Sequence, residues 1–504
     1  MMMMKNPGRL RLVSDSASLT RRLCTVSEAA AYVEAQVAGK KVGLYPRLSA
    51  LAATGKSVSK TINEFMMEGN AVRKDELCRC VRELRKYKKY QHALEVMEWM
   101  ERRKMNFSLT DYAILVDLVS KVKGISAAEN FFNCLSPSKK NKFTYGALLN
   151  CYCEKRLKDQ ALAHFEKMGE LKFVTNSLPF NNLMKLYMQL GQPEKVPTLV
   201  YEMKQRNITP CSFAYNLWMQ SYASLNDIDG VERVMEEMKV TGEDTRNWTT
   251  YSNLAAIYVR AGLFDRAESA LKTVEEKATL RDREAYHFLI SLYAKISLTE
   301  VKRMWSSLKS KFSTVTNSSY LVMLQALAKL DVQSMKELFE EWESGCSAFD
   351  FRLPSVAIKA YLGQGMREEA TRVFDNAIKR TYNPLFKARE TFMVFYVKNH
   401  QPDLALQHLK AALFEVKEKN WHPAPETVGA FFEYFEKRRD VDGAEEFCKN
   451  LRNLNHLDSF AYLMLLKTYV AANKQASEMR RRLEEDNIVM SKEIENLLEK
   501  VCPK

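Results

Sequence analysis

The run Thr144-Tyr145-Gly146-Ala147-Leu148-Leu149-Asn150-Cys151-Tyr152, an aromatic followed by apolar residues at helical spacing, returns again and again along this chain. Its aromatic position is held by Tyr112, Tyr145, Phe180, Tyr215, Tyr251, Tyr286 and Tyr320, at steps of 33, 35, 35, 36, 35 and 34 residues. Self-similarity at such a period marks a repeat architecture in which each repeat is one supersecondary unit. Every unit reads as two short helices. The second carries a small residue followed by large apolar ones, as in Ala161-Leu162-Ala163-His164-Phe165-Glu166-Lys167-Met168, with Ala93, Ala267, Ala370, Ala405 and Ala444 in the equivalent place. A narrow side chain there lets the two helices of a hairpin approach closely. A hairpin this short cannot bury its own apolar stripe, so stacking on its neighbours must supply the core and the chain grows as a solenoid. Twelve units are expected, beginning near Lys74, Leu109, Lys142, Ser177, Ser212, Trp248, Arg283, Asn317, Phe351, Phe386, Pro425 and Ser459, with a longer loop around Lys417 to Trp421. Residues 74–490 would form this array behind a helical lead-in over 27–73, and residues 491–504 a polar-faced helix and tail capping the stack.

Composition agrees with an all-α chain. Seventeen Gly and 13 Pro in 504 residues are about half the usual abundance of each, while 46% apolar content excludes disorder. Lys and Arg outnumber Asp and Glu by 76 to 62, and the resulting +14 permits a polyanionic partner without requiring one. Phe460 to Ala472, the most apolar stretch, is interrupted by Lys467 and Thr468 and falls short of the roughly 18 residues a span needs, so no membrane insertion is expected. Ten cysteines are too dilute for a disulfide framework. The pairs Cys78/Cys80 and Cys151/Cys153 sit in helical patterns that splay them to different faces, and neither a metal site nor a cofactor is expected.

Residues 1–26 differ from the remainder. Lys5, Arg9, Arg11, Arg21 and Arg22 stand against Asp15 alone, with Ser14, Ser16 and Ser18 between them, a composition that can make a basic amphipathic helix drawn to an import surface. An organelle presequence is expected there. The richness in Arg favours the mitochondrion, with the chloroplast as the alternative, and no apolar core of a secretory signal follows the basic start.

The repeat resembles the pentatricopeptide repeat: Tyr145-Gly146-Ala147-Leu148-Leu149 opens its first helix, Ala161 through Met168 close its second, and Arg206-Asn207-Ile208-Thr209-Pro210 matches the link between units. Arg47-Leu48-Ser49-Ala50-Leu51 with Thr54-Gly55, then Val72 to Leu77 and Arg82 to Lys86, look like the opening of a P-class subgroup of plant mitochondrial proteins. A tetratricopeptide array has a similar period, but its Trp-x-x-Leu-Gly opening is absent. The resemblance implies a right-handed superhelical solenoid of helix-turn-helix repeats that binds single-stranded organellar RNA at roughly one base per repeat. It also implies where bases are read, namely at the residue after each aromatic and the last residue before the next unit. Carried over, these are Gly146 with Asn176, Asn181 with Cys211, Asn216 with Asn247, and Ser252 with Asp282. Asn216 with Asn247 resembles a pyrimidine reader, and the pairs of Gly146 and Ser252 resemble purine readers. Cys78, Leu321, Leu385 and Glu390 depart from the pattern.

A strand of RNA also needs cations for its phosphates. Near the ends of first helices the chain offers Lys86, Lys121, Arg260, Lys295, Lys329, Lys398 and Lys437. Each could instead complement a helix dipole, and Asn216 and Asn247 could instead serve turns or caps. Tyr187, Tyr222, Tyr258 and Tyr293, seven residues after the opening aromatic, read as core.

Nothing reads as catalytic. His164-Phe165-Glu166 matches half of a zinc deaminase signature, but no Pro-Cys-x-x-Cys follows, and the repeats use up the chain before a nuclease domain could fit. Two functions therefore compete. One is an RNA adaptor acting in stabilisation, processing, splicing or translation through recruited processing or ribosomal proteins. The other is a protein-binding scaffold, such as a ribosome-associated or complex-assembly factor.

Overall fold

The computed structural model describes residues 43–51, 57–241, 247–277, 282–346, 348–380, 385–415, 421–454 and 456–503. The presequence expected over 1–26, much of the lead-in and residues 417–420 of the longer loop lie outside them. All regular structure in the described residues is helical, and the chain divides into two compact units at Ile296/Ser297.

The first unit opens with α1 (Leu44–Ser49) and α2 (Val58–Met67). Six hairpins follow: α3 (Lys74–Lys86) with α4 (Tyr90–Arg102), α5 (Leu109–Lys123) with α6 (Ile125–Cys134), α7 (Lys142–Glu154) with α8 (Lys158–Glu170), α9 (Leu178–Gln189) with α10 (Val196–Gln205), α11 (Ser212–Ser224) with α12 (Ile228–Val240), and α13 (Trp248–Ala261) with α14 (Phe264–Lys277). The unit ends with α15 (Arg283–Tyr293). In the second unit α16 (Leu298–Lys311) precedes five hairpins: α17 (Asn317–Leu330) with α18 (Val332–Gly345), α19 (Arg352–Gly363) with α20 (Arg367–Arg380), α21 (Phe386–Lys398) with α22 (Pro402–Glu415), α23 (Pro425–Arg438) with α24 (Val441–Asn453), and α25 (Ser459–Ala471) with the shorter α26 (Met479–Glu485). Last comes α27 (Lys492–Val501).

Local chemistry sets these boundaries. First helices start behind side chains that cap their free amides: Ser108 and Asn141 close capping boxes, and Asn247, Thr316 and Asp458 accept main-chain N–H groups two or three residues on. Chain reversal inside a hairpin uses a residue with positive φ, namely Lys88, Arg156, Gly191, Asn226, Gly262, Gly365, His400, Arg439 or Asn473. Bonds such as Leu157 N–H to Tyr152 O (3.0 Å) and Asp227 N–H to Tyr222 O (2.9 Å) close the finished helix behind it. The glycines adopt this conformation without strain, whereas the other residues carry a Cβ cost that packing of the hairpin must offset.

Packing within each unit is that of a solenoid. Successive first helices from α5 to α15, and again from α17 to α25, lie against one another, while second helices such as α4, α6, α10 and α24 pack both on their own first helix and on the next. The small residues expected at the hairpin crossings, Ala93, Ala161, Ala267, Ala370, Ala405 and Ala444, are fully buried. α27 rests on α25, buries Ile494, Leu498 and Val501, and turns Lys492, Glu493, Glu495 and Glu499 to solvent. Of the four register tyrosines, Tyr258 and Tyr293 are buried and Tyr187 and Tyr222 only half-buried. Tyr293 donates from its hydroxyl to Glu275 (2.7 Å), satisfying the one polar atom its burial would otherwise strand.

Candidate nucleic-acid interface

An interior first helix has a first helix on either side and its second helix behind it, so its remaining face is the inner, solvent side of the stack. The residue after each aromatic and the cations near the ends of first helices differ in how they are disposed. Gly146 is half-buried, and a Cβ built there would meet nothing within 4 Å, which leaves room for a ligand atom to approach the backbone. Its partner Asn176 is exposed and accepts the Leu178 N–H (3.0 Å), a turn role that still leaves its Nδ2 outward.

Asn181 is 7% exposed, with Nδ2 3.4 Å from the Cys211 sulfur and Oδ1 without a hydrogen-bond partner. The Ser177 hydroxyl donates to the same sulfur at 3.4 Å. Burial alone would raise the Cys211 thiol, but these donors and the amides of Ala214 and Phe213 outweigh it and hold the thiol below its ordinary value. Ser252 is equally buried, and its Oγ also lacks a partner. Asp282 starts α15 in a half-buried position. Asn216 is half-buried, and Asn247 is an exposed cap whose Oδ1 receives the N–H groups of Thr249 (3.1 Å) and Thr250 (3.3 Å).

The departures have structural occupations. Leu321 and Leu385 belong to the core. Glu390 accepts the Trp421 indole N–H (2.9 Å) beneath the stacked pair of Phe386 and Trp421, and burial pushes its carboxyl up.

Among the seven cations, Arg260, Lys295, Lys329 and Lys398 are exposed and make no ion pair with the described residues. Lys329 stands at a cleft of about 420 Å³ shared with Lys336, Gln333 and Gln364. Lys86 and Lys437 are exposed and lean on Glu83 (3.6 Å) and Glu433 (2.7 Å) of their own helices, pairs that solvent screens. Lys121 is different. Its ammonium bridges Asp117 (2.6 Å) and Glu154 (3.7 Å) and lies over the Tyr90 ring, while Asp117 is also held by Arg85 (2.8 Å). Burial would lower the Lys121 pKa, but the two carboxylates prevail and raise it. This relay from α3 through α5 to α7 commits the charges of Arg85 and Lys121 to carboxylates. Asp117 is buried between two cations that are themselves a fifth to a third exposed, so Asp117→Ala is expected to cost roughly 1–3 kcal/mol. A denaturant midpoint unchanged from wild type would show that the relay contributes nothing.

One row of side chains escaped the sequence reading. Phe143, Leu178 and Phe213 are 44%, 59% and 52% exposed, spaced by 35 residues, and Phe460 is 40% exposed. Each stands two residues before its unit's aromatic, in the first turn of a first helix. An apolar residue on the polar side of an amphipathic pattern was the available signal. A planar or broad apolar group exposed once per repeat can serve as a platform for a stacked base. Among the described residues no group of three or more His, Cys, Asp or Glu could hold a metal ion, and no helix is long and apolar enough to cross a membrane.

A family model described as the PPR repeat matches residues 143–173, 179–208, 213–242 and 249–277. Two pentatricopeptide repeat-containing mitochondrial proteins of Arabidopsis thaliana are similar over nearly the whole chain. One is 52% identical across 93% of this chain and 88% of its own length, the other 48% identical across 98% and 100%. The large ribosomal subunit protein mL101 of the same plant is 41% identical across 91% of this chain and 94% of its length. The names of the first two agree with the mitochondrial localisation read from the N-terminal residues. The chain belongs to the pentatricopeptide repeat family.

Proposed function

We propose that the protein is a mitochondrial RNA-binding adaptor without catalysis of its own, holding a single-stranded segment along the inner faces of its repeats for stabilisation, processing, splicing or translation. In this reading residues 1–26 direct import, 27–73 lead into the stack, 74–490 carry about twelve repeats and 491–504 close it. The observation that carries the reading is the recurrence, near the ends of first helices, of exposed cations without an ion pair among the described residues, Arg260 and Lys295 in the first unit and Lys329 and Lys398 in the second, together with the apolar row of Phe143, Leu178 and Phe213. Phosphates and base faces call for these two kinds of group. Gly146 with Asn176, Asn216 with Asn247, and the edges of Asn181, Ser252 and Asp282 supply the candidate base contacts.

Crosslinking and immunoprecipitation of the tagged protein from purified mitochondria tests this. A sharp footprint of about ten nucleotides is expected, weakened when Asn216 and Asn247 are both replaced by alanine. The similarity to mL101 favours one specific second reading, a ribosome-associated protein whose RNA is ribosomal. Co-sedimentation with the large ribosomal subunit, with stoichiometric protein partners and no separate transcript, would decide for it.

A further inference from the structure

We propose that Asn253 is a positioning residue that orients the amide of Asn216, so that this repeat offers a base hydrogen-bond donors and no acceptor. The inference rests on the reading of the inner face as an RNA surface and adds how one position selects its base.

Asn253 lies on α13, is 6% exposed, and is not among the residues expected to read bases. Its Nδ2 is 3.3 Å from the main-chain oxygen of Asn216 on α11, and the Gln220 Nε2 is 2.8 Å from its Oδ1. A carbonyl can only accept, so the Asn253 atom facing it must be the nitrogen, and the oxygen must face Gln220. The Asn253 orientation is therefore dictated by the backbone rather than chosen. That same Nδ2 lies 3.4 Å from the side chain of Asn216, where a second nitrogen would set donor against donor. Asn216 must therefore turn its Oδ1 toward Asn253. Its Nδ2 is then left without a partner among the described residues. Asn247 is constrained to match, because Oδ1 is occupied by the N–H groups of Thr249 and Thr250 and by the Thr249 hydroxyl, leaving Nδ2 as its remaining group.

Two amides that present only N–H groups suit a base edge rich in acceptors. Uracil and cytosine each carry two acceptors on the Watson–Crick edge, whereas adenine and guanine carry one, so the pair selects a pyrimidine through geometry imposed from the next repeat. Reversing the polarity of Asn253 should reverse the choice. In Asn253→Asp the carboxylate gives up the bond to the Asn216 main-chain oxygen, at a cost in stability, but still accepts from Gln220 and now draws the Asn216 Nδ2, releasing Oδ1 to accept from the two adjacent donors of guanine.

The test is selection of RNAs bound by the full-length protein from a single-stranded library randomised over about twenty nucleotides, more than the array spans at one base per repeat. Affinities of four RNAs differing at the aligned nucleotide would follow. Wild type is expected to enrich a pyrimidine at one column. Asn253→Asp should move that column alone toward guanine, changing the pyrimidine-to-guanine affinity ratio by about tenfold, the worth of a hydrogen bond. A merely structural role would lower all four affinities together and leave the ratio unmoved. Asn253→Ala, which removes the positioning amide without adding a charge, frees the Asn216 amide to turn either way and should lower the pyrimidine-to-guanine ratio at the same column alone, which keeps the test open should Asn253→Asp fail to fold. An unchanged column in both folded variants overturns the proposal while the RNA reading stands. Absence of any enriched motif with wild type overturns the RNA reading and this inference with it.

Discussion

Replacing Arg260, Lys295, Lys329 and Lys398 together by glutamine is expected to weaken RNA binding by about a hundredfold or more at low salt, with the helical signal of the protein retained. The reason lies in what these four side chains lack. They stand exposed at the ends of first helices and make no ion pair among the described residues, so their charge is open to a phosphate. Each contact with single-stranded nucleic acid contributes about 0.7 to the slope of log K against log salt, and losing four should flatten that slope by roughly 3. Lys121→Gln is the internal control. Its ammonium is already committed to Asp117 and Glu154, so its loss should leave the salt slope as it was while lowering stability. Fluorescence anisotropy with a labelled RNA, repeated at several salt concentrations, reads both quantities. A quadruple variant with the wild-type slope would mean that phosphates do not run past these residues, and the protein-binding alternative would take the place of the RNA adaptor.

That contrast between Lys121 and Lys329 could not be drawn from sequence. Both are basic residues near the end of a first helix, at equivalent register. Asp117 is visible four residues before Lys121, but the second cation on that carboxylate, Arg85, comes from the preceding repeat and is brought there only by stacking. The repeat itself was legible because its signal is periodic and local. Helices begin at Lys142, Ser212 and Trp248, where the spacing of aromatics puts them, and the alanines of the crossings are buried because no larger side chain fits between paired helices. Base-reading positions were harder to judge for the same reason as the cations. Asn181 follows its aromatic just as Asn216 does, yet it is packed under Ser177 and Cys211 while Asn216 is half-buried on the inner face. The carry-over by register names the position, and the neighbouring repeat decides what the side chain there can reach.

Phe447→Ala is expected to cost about 3–5 kcal/mol and to loosen the C-terminal repeats selectively. Phe447 on α24 is fully buried, stacked on Phe431 at 4.4 Å and 18°, and edge-on to Phe432 at 5.5 Å, both from α23. Truncation leaves a ring-sized cavity between two helices whose other contacts hold them in register, so collapse can fill it only in part. In a stack where each hairpin touches only its neighbours, that loss cannot be shared along the whole chain. α23 packs on α21 and α25, and α24 on α25, so the loss falls on these repeats and they should open first. Hydrogen exchange followed by peptide mass spectrometry is the measurement. Faster exchange is expected for peptides of α23 to α27, with peptides of α7 to α13 exchanging as in wild type. Uniform acceleration along the chain would instead mean that the array unfolds as one cooperative body. In that event the nearest-neighbour description of its stability would have to be abandoned, even with every hairpin placed as it is here.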